Sequence, residues 1–465
     1  MRLNFGKLSY TLVKDMEVCP LDWRYGSEEM RKIFDKENIL HTRLNVEIAL
    51  LKALRDVGIV EPKDVEEVEK KVDEVSSKEV EELESKLGHD VMAMVVALAE
   101  KSGESGKFIH FGATSYDIVD TANAIIFKQA LQLIENKLTK IMDILAKYAV
   151  EYRETIMVGR THGQHALPIT LGFKFANYLY EFTRSLERIN DSKKRVLRIK
   201  MAGAVGTMAA WNSKGIEIES AVSKYLGMEP HIISTQVAPR DGFAELISDM
   251  AILAATAERF SLEVRELMRP EINEIGEGVG ERVGSSTMPQ KENPVTAEKI
   301  TGLSRLMRSF VSAAIENIPL WHERDLTNSS AERILISHSF IILDEILESL
   351  LSLLTSLRVN TSRMHDNLLL TKGQIMAESL MINLTLKGMP RHEAHKLANE
   401  ISRQSKASNT SFLDECLKND KVKKMVSEEE LKRILDPKYY LGQNSTLIER
   451  SLSYYRSIRY IMKEI

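Results

Sequence analysis

The chain has 465 residues, 43% of them hydrophobic and 28% charged, with a formal net charge of −4. That length buries a large core in two or three domains, and so balanced a charge gives no reason to expect nucleic acid or a membrane surface as partner. No run of about 18 uninterrupted apolar residues occurs, the richest stretch (Phe340 to Leu354) being broken by Asp344, Glu345 and Glu348, so no spanning helix is expected. Met1 is followed by no apolar leader, and Cys19 and Cys416 are the only cysteines. A reducing, cytoplasmic setting is therefore expected, one long-range disulfide being the alternative.

Eleven prolines and 23 glycines are few for this length and favour helices over strands and turns. The N-terminal part carries short, charged helical patterns such as Glu61 to Leu87, with Pro62 suited to a first helical turn. His89 and Asp90 open the apolar run Val91 to Leu98, either as a cap pair or as a polarised histidine facing a site. The string His110-Phe111-Gly112-Ala113-Thr114-Ser115-Tyr116-Asp117 precedes a long helical pattern from Ile118 to Tyr148. Ser115 or Asp117 would cap that helix, and the same hydroxyls and free amides would make an anion site. Gly159-Arg160-Thr161-His162-Gly163-Gln164-His165-Ala166 then leads to a further helix expected from Pro168 to Lys200. Its histidines allow three readings: part of a metal site lacking its other ligands, a hydrogen-bonded cap pair, or a general acid titrating near neutrality. Lys193, Lys194 and Arg195, with Arg198 and Lys200, read as a solvated helix face.

From Phe243 to Met268 apolar residues recur at three- and four-residue steps, a stripe that Pro270 ends. Gly278 to Gly284 mimics a dinucleotide loop, but the glycine spacing is wrong and no apolar strand precedes it. The following string, Gly284-Ser285-Ser286-Thr287-Met288-Pro289-Gln290-Lys291-Glu292-Asn293-Pro294, is a loop, because its prolines continue neither a helix nor a central strand. It sets adjacent hydroxyls beside a glycine, with a lysine and an asparagine a few residues later, a set suited to anion binding and proton abstraction. Arg324 to Arg333 brings arginines and hydroxyls to the start of the helical pattern Glu332 to Leu357, which suits phosphate; a solvated helix start is the alternative. Beyond the polar break Arg358 to Arg363 lie shorter helices punctuated by Gly388-Met389-Pro390 and Asp436-Pro437. Long helices side by side imply a bundle, and the lack of strand–helix alternation argues against a Rossmann-type sheet. The expected fold is all-α: a helical domain over residues 1–111, a long-helix bundle over 112–363 and a helical C-terminal domain over 364–465.

Together these blocks resemble the adenylosuccinate lyases of the fumarase/aspartase superfamily over nearly the whole chain. The loop fills each fixed position of Ser-Ser-x-Met-Pro-x-Lys-x-Asn. Trp23 to Met30, Gly88 to Val91, Thr114 to Asp117, Gly159 to Ala166, Gln236 to Asp241 and Arg324 to Arg333 are similar to the family's other blocks. Two positions depart: Asn328 stands where many members carry histidine, and Gly88 where many carry a basic residue. Gln290 before Lys291 also occurs in argininosuccinate lyases and cycloisomerase-like relatives; with no Ser-Arg-Asn-Asp block present, argininosuccinate lyase or another fumarate-releasing lyase ranks second.

The resemblance implies a homotetramer whose active sites are assembled from three subunits. It implies a carbon–nitrogen lyase acting without metal or organic cofactor on purine nucleotides, with no nucleic acid or membrane partner. The reaction would release fumarate from adenylosuccinate and from the succinylaminoimidazole carboxamide ribotide. By family position Ser285 would be the base, with Ser286 its neighbouring hydroxyl, and Lys291 and Asn293 would hold the carboxylate as charge builds. His162 would be the general acid, oriented by Glu298. Thr114 and Ser115 would bind the other carboxylate, and His89, Asp90 and His110 would line the site. Arg24, Tyr25, Arg324, Ser329 and Arg333 would grip phosphate and ribose, and Gln236 the succinyl or base portion.

Overall fold

The computed structural model describes residues 19–278, 288 and 290–464, the last four as backbone alone. Among these residues the chain forms eighteen α-helices and four short strands. Five helices reach 22 residues or more: Ser115–Glu151, Leu171–Val196, Asp241–Leu267, Val295–Glu316 and Thr327–Thr355. Two compact units result, one from residues 19–137, 186–255 and 302–348, the other from 138–185, 256–301 and 349–464, and each of the five helices contributes a segment to both. None of the described helices is long and apolar enough to cross a membrane. Both cysteines are free thiols.

In the first unit the helix Lys36–Asp56 buries Leu44, Leu50, Leu51 and Leu54 in a core shared with Val68, Met94, Leu98, Ile218 and Val222. Three of the long helices meet through aromatic rings: Phe127 stacks on Phe340 with centroids 5.4 Å apart and meets Phe243 edge-on at 5.3 Å. Pro62 does open a helix, but that helix ends at Glu69, so the expected run to Leu87 is broken. Val72 and Val75 turn inward there, and Ser76 starts the next helix by accepting the Glu79 N–H at 3.3 Å. A cap and two buried valines outweigh continuation of a charged helix.

Lys200 departs from its expected exposure. The helix stops at Val196; Ile199 then accepts the His231 N–H and donates to Glu229 O. Lys200 turns into the protein, with Nζ 2.6 Å from Asp117 Oδ1 and 3.1 Å from Gly203 O, and both charged side chains are 0% exposed. A carboxylate enclosed at the start of the helix Ser115–Glu151 requires a counter-charge, and this one lysine leaves the basic run to supply it.

In the second unit Leu380, Leu384, Ile401, Phe412, Val422 and Leu431 form the core of the C-terminal helices. Its other feature is an antiparallel hairpin, Ile156–Thr161 with Gln164–Thr170. Pro168 therefore lies in a strand opposite Val158 rather than at a helix start, and the helix begins at Leu171. A two-stranded ladder is all edge, so a residue without an N–H fits it. Thr170 Oγ1 accepts the Phe173 N–H at 3.2 Å and caps the helix. The long helix Val295–Glu316 has no counterpart among the sequence expectations. Its buried face mixes Thr296, Thr301 and Ser304 with Ala297, Ile300 and Met307, so the apolar stripe is faint.

Candidate active site

Within the first unit, His89, Asp90, Ser115, Arg324, Ser329 and Arg333 line one cavity of about 480 Å³. That volume lies in the ~300–1,000 Å³ range of small-molecule pockets. Three helix starts supply these groups. His89 is the N-cap of Asp90–Ser102, its Nδ1 accepting the Met92 N–H at 3.2 Å. Nε2 therefore carries the proton of the neutral ring and points it at Ser115 Oγ, 3.3 Å away. Asp90 Oδ2 lies 3.2 Å from both Arg43 Nη1 and Arg333 Nη2. Burial works to raise the Asp90 pKa, but the two guanidiniums outweigh it and hold the carboxyl below its usual range.

Arg324 lies over the Tyr116 ring, 4.0 Å from its centroid, and donates to Gln236 Oε1 at 2.9 Å, while Gln236 Nε2 donates to Ala204 O at 2.8 Å. The Arg324 Nε is buried without a hydrogen-bond partner among the described residues. Gln236 is thus joined to Arg324 without itself lining the cavity. Arg24 and Tyr25, in the turn after Pro20, do not line it either, nor do Thr114 and His110.

Thr114 instead forms the cap of the long helix: its N–H donates to Asp117 Oδ2 at 2.7 Å. Asp117 also accepts the Ala202 and Gly203 amides, at 2.7 and 3.0 Å, so one carboxylate ties the Thr114–Ser115 turn to the segment after Lys200. Gly112, at φ +75°, packs where a Cβ would fall inside the Trp211 indole. His110, at φ 64°, is set by Glu47, whose Oε1 is 2.7 Å from Nδ1 and whose Oε2 accepts the His110 N–H at 3.1 Å. Burial would lower the His110 pKa, but the hydrogen bond and charge of Glu47 outweigh it and raise the pKa.

Asn328 is fully buried; its Nδ2 donates to Glu332 Oε1 at 3.0 Å, and its Oδ1 has no partner among the described residues. Glu332 in turn meets Arg240 Nε at 2.8 Å, and Arg240 grips Asp120 with both terminal nitrogens at 2.9 Å. Burial pushes the Glu332 carboxyl up despite Arg240. Gly88, the other departure, is the left-handed C-cap of the helix Ser77–Leu87 at φ 68°.

In the second unit His162 and Gly163 are the two turn residues of the hairpin, with φ of 52° and 71°. Positive φ at both turn positions matches the right-handed twist of the strands and lifts the exposed His162 ring off the ladder. The two histidines are therefore not on a helix, and His165 faces Arg160 across the ladder. Burial, then Arg160, lowers the His165 pKa. Arg160 braces the hairpin through two bonds to the fully buried Glu274, at 2.7 and 2.8 Å, and Glu274 also accepts the Asn367 amide at 2.8 Å.

Lys291, Asn293 and Glu298 line a second cavity, where the loop enters the helix Val295–Glu316. That start is fixed by the buried Glu277, which accepts the Thr296 and Ala297 amides at 3.0 and 3.2 Å. Ser285 and Ser286 lie outside the described residues. Sequence reasoning missed Arg43, Glu47, Lys200 and Glu332. Glu47 left one signal, a lone charge between Val46 and Ile48, whereas Arg43 left none.

The chain is similar to known proteins over most of its length. The family described as "Lyase" matches residues 24–307, and "Adenylosuccinate lyase C-terminus" matches residues 373–451. The chain is 43% identical to the adenylosuccinate lyase of Methanocaldococcus jannaschii, covering 96% of this chain and 97% of that one. It is also 43% identical to the adenylosuccinate lyase of Pyrococcus horikoshii, covering 94% and 98%. Among solved structures it is similar to a fumarate lyase from Mesorhizobium (TM-score 0.86, 26% identity, 94% of this chain and 100% of that one). It is similar as well to a 3-carboxy-cis,cis-muconate lactonizing enzyme from Pseudomonas putida (TM-score 0.85, 29% identity, 94% and 98%). The chain belongs to the adenylosuccinate lyase family, within the fumarase/aspartase superfamily.

Proposed function

We propose that this chain is a carbon–nitrogen lyase that eliminates fumarate from adenylosuccinate, giving AMP, and from the succinylaminoimidazole carboxamide ribotide of purine biosynthesis. The observation that carries the reading is the convergence of Arg324, Arg333, Ser329, His89 and Ser115 on one cavity, in a member of this family. Two guanidiniums beside helix-start hydroxyls on one cavity wall support an anionic ligand there.

Elimination across a C–N bond needs a base for the carbon acid, charge stabilisation on the adjacent carboxylate and an acid for the leaving nitrogen. Ser285 takes the first task and Lys291 with Asn293 the second, both by family position, with Ser286 adjacent. His162 takes the third, its ring held forward on a braced turn. His162 and Glu298 are exposed, and among the described residues neither makes a side-chain hydrogen bond or ion pair. By family position their completion falls to neighbouring copies, in a homotetramer with shared sites. Arg24, Tyr25 and Gln236 complete the phosphate, ribose and base contacts, Thr114 those of the second carboxylate, and Asp90 and His110 brace the wall. A cytoplasmic, metal-free enzyme with domains over residues 1–111, 112–363 and 364–465 belongs to the same reading.

The test is incubation of the purified protein with adenylosuccinate, following purine absorbance and fumarate. Fumarate and AMP in equal amounts are expected, with AMP inhibiting competitively. Release of fumarate from argininosuccinate but not from adenylosuccinate would overturn the substrate assignment.

A further inference from the structure

Resting on the nucleotide reading of the first unit's cavity, we propose that Arg43 is a positioning residue: it shares the Asp90 carboxylate and so leaves Arg333 free to transfer to a phosphomonoester. One oxygen, Asp90 Oδ2, stands 3.2 Å from both guanidiniums, while Oδ1 accepts the Val91 N–H at 2.9 Å. One negative charge therefore serves two positive ones. The two arginines are not equivalent: the Arg43 side chain is 23% exposed and the Arg333 side chain 63%. Arg43 is the fixed partner and Arg333 the one with room to move.

The other charged groups on the wall are Glu332, Arg324, His89 and Glu84. Glu332 is held by Arg240, and Arg324 by Gln236 and Tyr116. His89 Nδ1, 3.8 Å from Asp90 Oδ1, already accepts the Met92 N–H. Glu84 also lines the cavity. Among the described residues Asp90 is the ionic partner of Arg333.

A phosphate dianion entering this cavity competes with Asp90 for Arg333. With Arg43 in place, Arg333 swings to the ligand and Asp90 stays compensated. Without Arg43 the same movement strands a half-buried carboxylate beside the incoming anion, adding desolvation and repulsion to the cost of binding.

The experiment compares AMP with adenosine as ligands of wild type, Arg43→Met and Arg43→Lys, alongside steady-state kinetics. Arg43→Met is expected to weaken AMP and raise KM on the order of tenfold, with kcat within about twofold and adenosine affinity unchanged. Arg43→Lys should recover most of the loss. Equal weakening of AMP and adenosine, or unaltered AMP affinity, would overturn the role of Arg43. A parallel fall in kcat and melting temperature without a nucleotide–nucleoside difference would reduce Arg43 to a structural ion pair. Failure of the wild-type protein to bind AMP would instead remove the nucleotide reading itself.

Discussion

At the scale of single residues, two histidines of the same chain are prepared in opposite ways. His162 is raised on a two-residue turn and exposed. His110 is held from below by a fully buried carboxylate. The His110–Glu47 pair has a definite pH signature. Because the folded-state pKa of His110 is raised, its stabilisation is fully present below the unfolded value of about 6.5 and is lost as pH rises through the higher folded value. The melting temperature of wild type should therefore exceed that of Glu47→Gln by more near pH 6 than at strongly alkaline pH. A difference that stays constant across that span would show that His110 is not the titrating partner.

At the scale of elements, helix starts carry most of the candidate residues, and two of those starts are fixed by side chains distant in sequence. Asp117 and Lys200 fix the start that holds Thr114 and Ser115, and Glu277 fixes the exit of the loop that holds Lys291 and Asn293. Both helix starts are thereby held by buried carboxylates in advance of any ligand. Lys200→Met leaves the Asp117 carboxylate buried and uncompensated, at a cost of about 3–5 kcal/mol. Denaturant unfolding should register that loss, and the double variant Lys200→Met with Asp117→Asn should recover much of it. If Lys200→Met unfolds at the wild-type midpoint, the enclosed pair is not a stabilising contact. The helical elements themselves were legible from period alone where the stripe was strong, as from Phe243 to Met268. The hairpin was not, because its seven-residue second strand contains a proline and borders a helix whose apolar pattern runs on without a break.

At the scale of the whole molecule, the arginine-lined cavity belongs to one compact unit and the His162 turn to the other. If neighbouring copies complete each site, His162→Gln and Ser285→Ala should each lose on the order of a hundred- to ten-thousand-fold in turnover as pure proteins. Mixing them after partial dissociation should restore a fraction of wild-type activity, since some sites then receive an intact residue from each copy. Mixtures that stay as inactive as their components would place both residues in one subunit's site. The sequence by itself determined the family, the all-helical character and the chemical inventory, because motif strings and the 3.6-residue period are local properties that need no partner across the fold. Only tertiary structure decided which of those groups meet. It turned Lys200 from a solvated run into an enclosed counter-ion, brought Arg43 to Asp90 from 47 positions away and joined Arg324 to Gln236 across 88. A buried charge is partnered by whatever the packing brings within reach, and no short string of sequence records that choice.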